Sequence, residues 1–332
     1  MEYTTLGRSG LRVSRACLGT MNVGTTYGLA ATGEREAGAI LDAFLEAGGN
    51  LVDTADLYHR GETEEILGRL IKGRRDRVVL ATKGAMPLDG EPRSLSRRRL
   101  TAALEASLRR LGTDHVDLYQ AHQWDPVTPI EETMDTLDGF VRSGKVRYLG
   151  CSNFSAAQIV EAQWAATTPF VSLQPQYSLI ARVIEAEVLP ACERHGLGTI
   201  AYGTLGGGIL AGRYTRGQAP DPDSRMGRLL GSELPGARRW AELLLTERNL
   251  AIGEEVVKVA AEIGAEASQV ALAWVAARPG VSSVLLGPRS VAQLRSNLAA
   301  FDLDVPVERL TALSEPEFAP ADGSLFHLTP RR

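Results

Sequence analysis

The sequence predicts a (β/α)8 barrel preceded by an N-terminal β-hairpin. Three observations carry this. Eight short apolar runs end at Gly19, Asp53, Thr82, His122, Ser152, Gln174, Tyr202 and Gly287. They alternate with amphipathic helical stretches at a period of about 30 residues, and strict βα alternation indicates a parallel sheet. The competing doubly wound sheet would need a G-x-G-x-x-G turn after its first strand, and none is present. Eight such units in one chain fit a closed barrel, whose active site lies on the loops at the carboxyl ends of the strands. No linker separates two cores, so residues 1–332 read as one domain.

Taken in order, Tyr3–Leu6 and Leu11–Ser14 flank Gly7-Arg8-Ser9-Gly10 and read as the hairpin. Ala16-Cys17-Leu18 is the first barrel strand. Gly33–Ala47 carries Ile40, Leu41, Phe44 and Leu45 on one helical face and stops at Gly48-Gly49. Leu51-Val52 and Val78–Ala81 are strands on either side of a helix from Thr63 to Gly73. This βαβ unit makes them parallel neighbours. Ser96–Leu111 sets Leu100, Leu104, Leu108 and Leu111 in one stripe, closed by Gly112. Val116–Ala121 is a strand, and Thr128-Pro129-Ile130-Glu131 reads as a capping box with Pro at the first helical position. Val146–Cys151 is the next strand, and Ser155-Ala156-Ala157-Gln158 a second capping box. Phe170–Leu173 leads to Gln174, a helix covers Ile184–His195, and Thr199–Ala201 leads to Tyr202. The segment from Gly203 to about Arg239 is rich in Gly, Pro and charge and reads as irregular. Helices return at Ala251–Ile263 and Ser268–Ala277, followed by a strand at Val281–Leu286 and a helix at Val291–Ala300.

The chain has 332 residues and is 44% hydrophobic, with 36 basic and 40 acidic residues for a formal charge of −4. That balance supplies no field for nucleic acid or anionic lipid. Arg97-Arg98-Arg99 and Arg109-Arg110 read as a solvated helix face. Cys17, Cys151 and Cys192 are scattered and odd in number, which points to buried free thiols and against a disulfide framework or a metal site. The N-terminus lacks the pattern of a signal peptide, and no apolar run reaches membrane-spanning length. A reducing, cytoplasmic setting is the expectation.

If the barrel closes, Asp53, Tyr58, Lys83 and His122 converge at one rim. An ammonium beside a phenol favours phenolate and would lower the tyrosine pKa, while Asp53 would fix and balance the lysine. A carbonyl oxygen bonded to Tyr58 and His122 would be polarised and then protonated as charge develops. With no nucleophile elbow or metal ligand cluster in the sequence, the carbonyl would receive a hydride from a nicotinamide cofactor. A Schiff-base lysine is the sharper rival, but an adjacent Asp works against it by keeping the amine charged. Singly, each residue has a plainer reading as a turn cap, surface amine, loop aromatic or buried imidazole. Near the C-terminus, Gly287-Pro288-Arg289-Ser290 opens a helix capped by Ser290, with Gln293 closing a capping box, an anion site suited to phosphate. Gly206-Gly207-Gly208 permits close backbone approach, as a pyrophosphate needs, or marks a mobile loop.

The chain resembles the aldo-keto reductases from end to end. The carrying motifs are Leu18-Gly19-Thr20-Met21, Asp53-Thr54-Ala55 with Tyr58, Ala81-Thr82-Lys83, and His122-Gln123-Trp124-Asp125-Pro126. Ser152-Asn153-Phe154, Gln174 before Tyr177-Ser178-Leu179, and Gly287-Pro288-Arg289-Ser290 running to Gln293 and Asn297 complete the set. The resemblance implies NADPH-dependent carbonyl reduction with a catalytic tetrad at Asp53, Tyr58, Lys83 and His122. Tyr58 would be the general acid, and His122 would orient the carbonyl. It places Gly19, Thr20 and Met21 at the cofactor, with Ser152, Asn153 and Gln174 on the nicotinamide carboxamide and Tyr202 stacked on the ring. Gly203, Thr204, Leu205, Gly206 and Gly208 would lie near the pyrophosphate. Arg289 and Ser290 would meet the 2′-phosphate, and Gln293 and Asn297 the adenine end. Three residues depart from the common pattern: Ser296 stands for an acid, Cys151 for a Val, and His59 for a Gly after the tyrosine. His59 reads as an exposed loop imidazole. Trp124, Met21, Met86 and the 205–240 insertion are expected to shape the substrate pocket.

Two other functions fit the same residues. One is a cofactor-sensing binding subunit, as in potassium-channel β subunits, against which the intact tetrad and the lack of a docking tail weigh. The other is reduction of an activated C=C bond.

Overall fold

The computed structural model describes residues 1–25, 32–84, 86, 92–233 and 235–315. Residues 316–332 of the expected domain, and Leu234 within the insertion, lie outside the described residues. Strands β1 (Tyr3–Thr5) and β2 (Arg12–Ser14) pair antiparallel, Tyr3 opposite Ser14. The eight strands β3 (Ala16–Gly19), β4 (Leu51–Asp53), β5 (Val79–Gly84), β6 (Val116–Ala121), β7 (Val146–Ser152), β8 (Phe170–Gln174), β9 (Gly198–Ala201) and β10 (Val281–Leu286) follow. They close into a barrel in which β10 pairs with both β9 and β3. All the barrel pairs are parallel, so the expected (β/α)8 barrel with its hairpin is what the chain forms.

Helices α1 (Glu34–Glu46), α2 (Glu62–Ile71), α3 (Arg97–Leu111), α4 (Ile130–Arg142), α5 (Ala156–Ala165) and α6 (Val188–His195) connect the first seven barrel strands. After β9 come α7 (Arg225–Leu230), α8 (Pro235–Leu244), α9 (Glu247–Glu262) and α10 (Ala267–Ala276); α11 (Val291–Ala299) and α12 (Val307–Thr311) follow β10. The helices between the strands bury their apolar stripes against the barrel, as α1 does with Ile40, Leu41, Phe44 and Leu45.

Inside the barrel a separate cluster holds Cys17, Leu51, Ala81, Leu118 and Ile200 together with Leu6, Leu11 and Val13 of the hairpin. The hairpin thus plugs the amino end. Its tip is seated tightly: Gly7 has φ +60°, and a Cβ there would lie 2.4 Å from Gly196 O. Because side chains alternate across a strand, two residues beyond this apolar layer point inward again. Those positions are Gly19, Asp53, Lys83, Gln120 and Tyr202. The pleat alone therefore stacks a polar layer on an apolar one at the carboxyl rim.

Local expectations fare unevenly. The Ser155–Gln158 capping box forms with both of its hydrogen bonds, and Gly112 closes α3 in the left-handed region. The Thr128 box does not form. Thr128 donates to Asp125 Oδ2 instead, and α4 starts after Pro129 without a side-chain cap. The helix expected over Ile184–His195 is a short turn, Val183–Glu185, followed by α6. The segment read as irregular, Gly203 to about Arg239, contains α7 and the start of α8, which its Gly-, Pro- and charge-rich composition hides. The solvated arginine face holds for Arg97, Arg98 and Arg109 only. Arg99 turns inward to donate to Met86 O, and Arg110 forms an ion pair with the fully buried Glu64 at 2.6 Å. All three cysteines are buried and free.

Candidate active site at the carboxyl rim

Asp53 and Lys83 leave adjacent strands, with Asp53 in register with Ala81. Both are 1% exposed, and Lys83 Nζ donates to Asp53 Oδ2 at 2.5 Å and to Thr54 O at 2.9 Å. The other carboxylate oxygen, Oδ1, accepts from Gln120 Nε2 at 3.0 Å and Gln174 Nε2 at 2.9 Å. Three donors on one buried carboxylate compensate its desolvation. Burial pulls the Lys83 pKa down, but the Asp53 charge, the nearby phenol and the hydrogen bonds to both outweigh it, so the amine is held above its ordinary value. It stays an ammonium, which removes the basis for a Schiff-base nucleophile.

Tyr58 follows β4 on a tight turn, its N–H donating to Ala55 O at 3.2 Å. Lys83 Nζ lies 5.1 Å from the centre of the phenol ring, and the two side chains are hydrogen-bonded. Here the structure corrects the expectation of a lowered phenol pKa. Burial pushes it up, Lys83 pulls it down and Asp53 pushes it up again, for a net rise. The attraction to Lys83 is present, but desolvation is larger. His122 meets Tyr58 edge-on, ring centres 6.2 Å apart at 84°. Burial and, secondarily, the charge on Lys83 hold its pKa well below the ordinary histidine value, so the ring is neutral at physiological pH. Its Nδ1 is buried with no hydrogen-bond partner among the described residues. The four predicted side chains therefore do come together.

Ser152, Asn153, Gln174 and Tyr202 form a strip beside them. Ser152 Oγ donates to Gln174 O at 2.8 Å, and Tyr202 OH donates to Asn153 Oδ1 at 2.7 Å. Asn153, at φ +60°, donates to Ser152 Oγ at 3.0 Å and His122 O at 3.3 Å. Thr20 Oγ1 donates to Asp53 O at 2.9 Å, while Met21 is 42% exposed at the rim. Trp124 packs edge-on against Phe154, ring centres 5.3 Å apart.

The second predicted constellation lies across β10 and the insertion. Ser290 caps α11 by accepting from Gln293 N at 3.2 Å. Gln293 Oε1, however, accepts from Arg289 N at 2.8 Å, so the box closes one residue earlier than expected. Asn297 is buried, and Ser296 donates to Glu266 at 2.6 Å. Gly203, Gly206, Gly207 and Gly208 all have left-handed φ. Thr204 is buried, and Leu205 packs on the core. A Cβ on Gly207 would lie 2.1 Å from Met226 Cε, so α7 sits directly on this glycine turn.

Three residues that sequence reading missed complete the picture. Burial lowers the Arg289 pKa, and the charges of Arg228 and Arg213 lower it further. Burial and then Arg289 do the same to Arg225, whose guanidinium lies 5.3 Å over the Trp240 ring. Among the described residues none of these four arginines forms an ion pair with a carboxylate. Arg228 Nε is also buried without a partner there. Three half-buried guanidiniums and the exposed Arg213, gathered without carboxylate partners, can donate to a polyanion. The Arg225-Met226-Gly227-Arg228 spacing was the available signal. Gln120 was legible too, through its inward register two residues past Leu118.

A parallel barrel with an acid–amine–phenol–imidazole group at its carboxyl rim, beside a cluster of arginines without carboxylate partners, marks the chain as an oxidoreductase. The chain belongs to the Aldo/keto reductase family, whose model matches residues 15–315. It is similar to the "Uncharacterized oxidoreductase YrpG" of Bacillus subtilis, 40% identical over 95% of each chain. It is also 35% identical to "Aldo-keto reductase YhdN" of the same organism, over 89% of this chain and 87% of the other. A "Probable voltage-gated potassium channel subunit beta" of Oryza sativa is 36% identical, over 91% of this chain and 92% of the relative.

Proposed function

We propose that this protein is an NADPH-dependent reductase of aldehydes or ketones, with the whole chain as one domain acting in a reducing, cytoplasmic setting. The observation that supports it most is the buried Lys83–Asp53 pair in contact with Tyr58 and facing neutral His122. NADPH, when bound, supplies the hydride to the carbonyl carbon. As negative charge grows on the carbonyl oxygen, the Tyr58 hydroxyl transfers its proton there. Lys83 stabilises the phenolate left behind, and Asp53 keeps Lys83 charged and placed. His122, uncharged, is a hydrogen-bonding group for the same oxygen and does not compete as an acid at neutral pH.

The cofactor would be held by Gly19, Thr20 and Met21, by Ser152, Asn153 and Gln174 at the carboxamide, and by Tyr202 at the ring. Gly203–Gly208 with Arg213 suits the pyrophosphate. Arg289 and Ser290, joined by Arg225 and Arg228, suit the 2′-phosphate dianion, and Gln293 and Asn297 the adenine. The fit rests on the uncompensated arginines around Arg289. Trp124, Met21 and the insertion would bound the substrate.

NADPH oxidation followed at 340 nm with a panel of aldehydes and ketones tests this, with wild type beside Tyr58→Phe. The expected result is turnover by the wild type that collapses at least 100-fold in the mutant while NADPH still binds. A second reading, a cofactor-sensing binding subunit, is favoured by the name of the rice relative. Tight NADPH binding without turnover on any carbonyl would move the assignment there, or to reduction of an activated C=C bond.

A further inference from the structure

His59 was expected on the surface, yet it is 4% exposed. The residue stands next to Tyr58 in an uncommon backbone. His59 (φ +47°), Arg60 (φ +56°) and Gly61 (φ +92°) are three successive residues in the left-handed region. Two of them carry a Cβ, which makes that conformation unfavourable, and such strain persists only where the surroundings hold it. A glycine after the tyrosine would relieve it. The structure shows what holds it. The imidazole packs against Gly24, where a Cβ would come within 2.5 Å of His59 Cγ and 2.9 Å of Nδ1, and the ring is hydrogen-bonded to the Met21 backbone. The next residues bind the same loop. Glu62 accepts from Thr25 N at 2.9 Å and from Thr25 Oγ1 at 2.8 Å, and Thr63 Oγ1 donates to Val23 O at 2.6 Å.

We infer that His59 is a positioning residue. Its ring, locked over Gly24 and Met21, ties the loop that carries Thr20 and Met21 to the turn that presents Tyr58, so the proton donor and one wall of the cofactor and substrate site move as one body. This rests on the reading of Tyr58 as proton donor. The mechanical part stands apart from it. Of the groups facing the ring, Glu62 favours its protonation and burial opposes it more strongly, so the ring acts as a neutral wedge and hydrogen-bonding group.

His59→Gly removes the ring and at the same time suits the left-handed backbone. A residue that merely fills the core would lower Tm on truncation. A positioning residue would leave Tm within a few degrees of wild type while freeing the loop. The expected result for His59→Gly is therefore an unchanged or raised Tm and amide hydrogen exchange at Val23, Gly24 and Thr25 at least tenfold faster. Carbonyl turnover should show a kcat at least tenfold lower, with little change in exchange elsewhere. His59→Asn sets an amide N–H near the place of Nδ1, and His59→Gln one near Nε2, so one of the two should restore much of the exchange protection and of kcat. Wild-type exchange at 23–25 in His59→Gly would overturn the inference, as would a Tm loss with exchange rising throughout the barrel. The exchange measurement needs no turnover. If no carbonyl is reduced by wild type, the reductase reading fails while the coupling of the two loops is still decided.

Discussion

The buried Lys83–Asp53 pair lends itself to a graded perturbation, because each partner removed leaves a different set of orphans. Lys83→Met takes away the ammonium but leaves Asp53 with the Gln120 and Gln174 amides. Losing one partner of a buried pair costs about 3–5 kcal/mol, and the two amides place this variant near the low end. Asp53→Asn keeps a carbonyl oxygen for those amides and costs a similar amount. Asp53→Leu leaves the buried ammonium without its counter-charge, with only Thr54 O and the Tyr58 phenol beside it, and orphans both amides, each worth about 1–3 kcal/mol when buried unpaired. Its total of about 5–11 kcal/mol reaches the whole stability of an ordinary domain. The double variant Asp53→Asn with Lys83→Met has no buried charge left, so its loss should fall about 2–3 kcal/mol short of the sum of the singles. Reversible urea unfolding followed by tryptophan fluorescence at pH 7 measures all four. The pH dependence has a definite sign. The Lys83 pKa is raised in the folded state, so its stabilisation is complete below the unfolded value of about 10.4 and is lost as pH rises through the folded value. Wild type should therefore lose stability in strong alkali in a way that Lys83→Met does not. Additive single losses, or parallel alkaline curves for wild type and Lys83→Met, would refute the reasoning.

Other outcomes follow from the same geometry. With His122 held well below its ordinary value and Tyr58 above its own, kcat/KM for carbonyl reduction should be flat from about pH 6 to 9 and fall only above about 10; a limb near pH 6.5 would contradict the neutral imidazole. Arg228→Ala and Arg289→Ala should each weaken NADPH binding roughly tenfold or more, about 1.4 kcal/mol, and change NADH binding less than threefold. Fluorescence titration of both cofactors checks this, and equal losses would remove the 2′-phosphate assignment. Gly7→Ala should destabilise by about 2 kcal/mol or more, since the new methyl meets Gly196 O and Val171 O and the backbone is left-handed. Calorimetry showing wild-type Tm would mean that the hairpin is not seated in the barrel as described.

The barrel was legible because its signals are local. Each strand's apolar run, each amphipathic stripe and the glycine after α3 act within a few residues, and the period-two pleat carries Leu51 to Asp53 and Ala81 to Lys83 on the inward face. The convergence of Asp53, Tyr58, Lys83 and His122 follows from that order of strands. The sequence by itself thus determined the architecture, the rim on which polar chemistry gathers, and the residue types present there. Only the tertiary structure decided how those groups behave. Desolvation depends on everything packed around a side chain, and this turned the expected drop in the Tyr58 pKa into a rise and kept His122 neutral. It also drew Arg99 and Arg110 inward from a run of charges and brought Arg213, Arg225 and Arg228 up to Arg289 from distant positions. His59 reads as surface in the sequence because it falls on a loop, and loop positions are usually exposed. Its actual neighbours are Met21 and Gly24, and only closing the barrel sets that loop beside the turn after Tyr58.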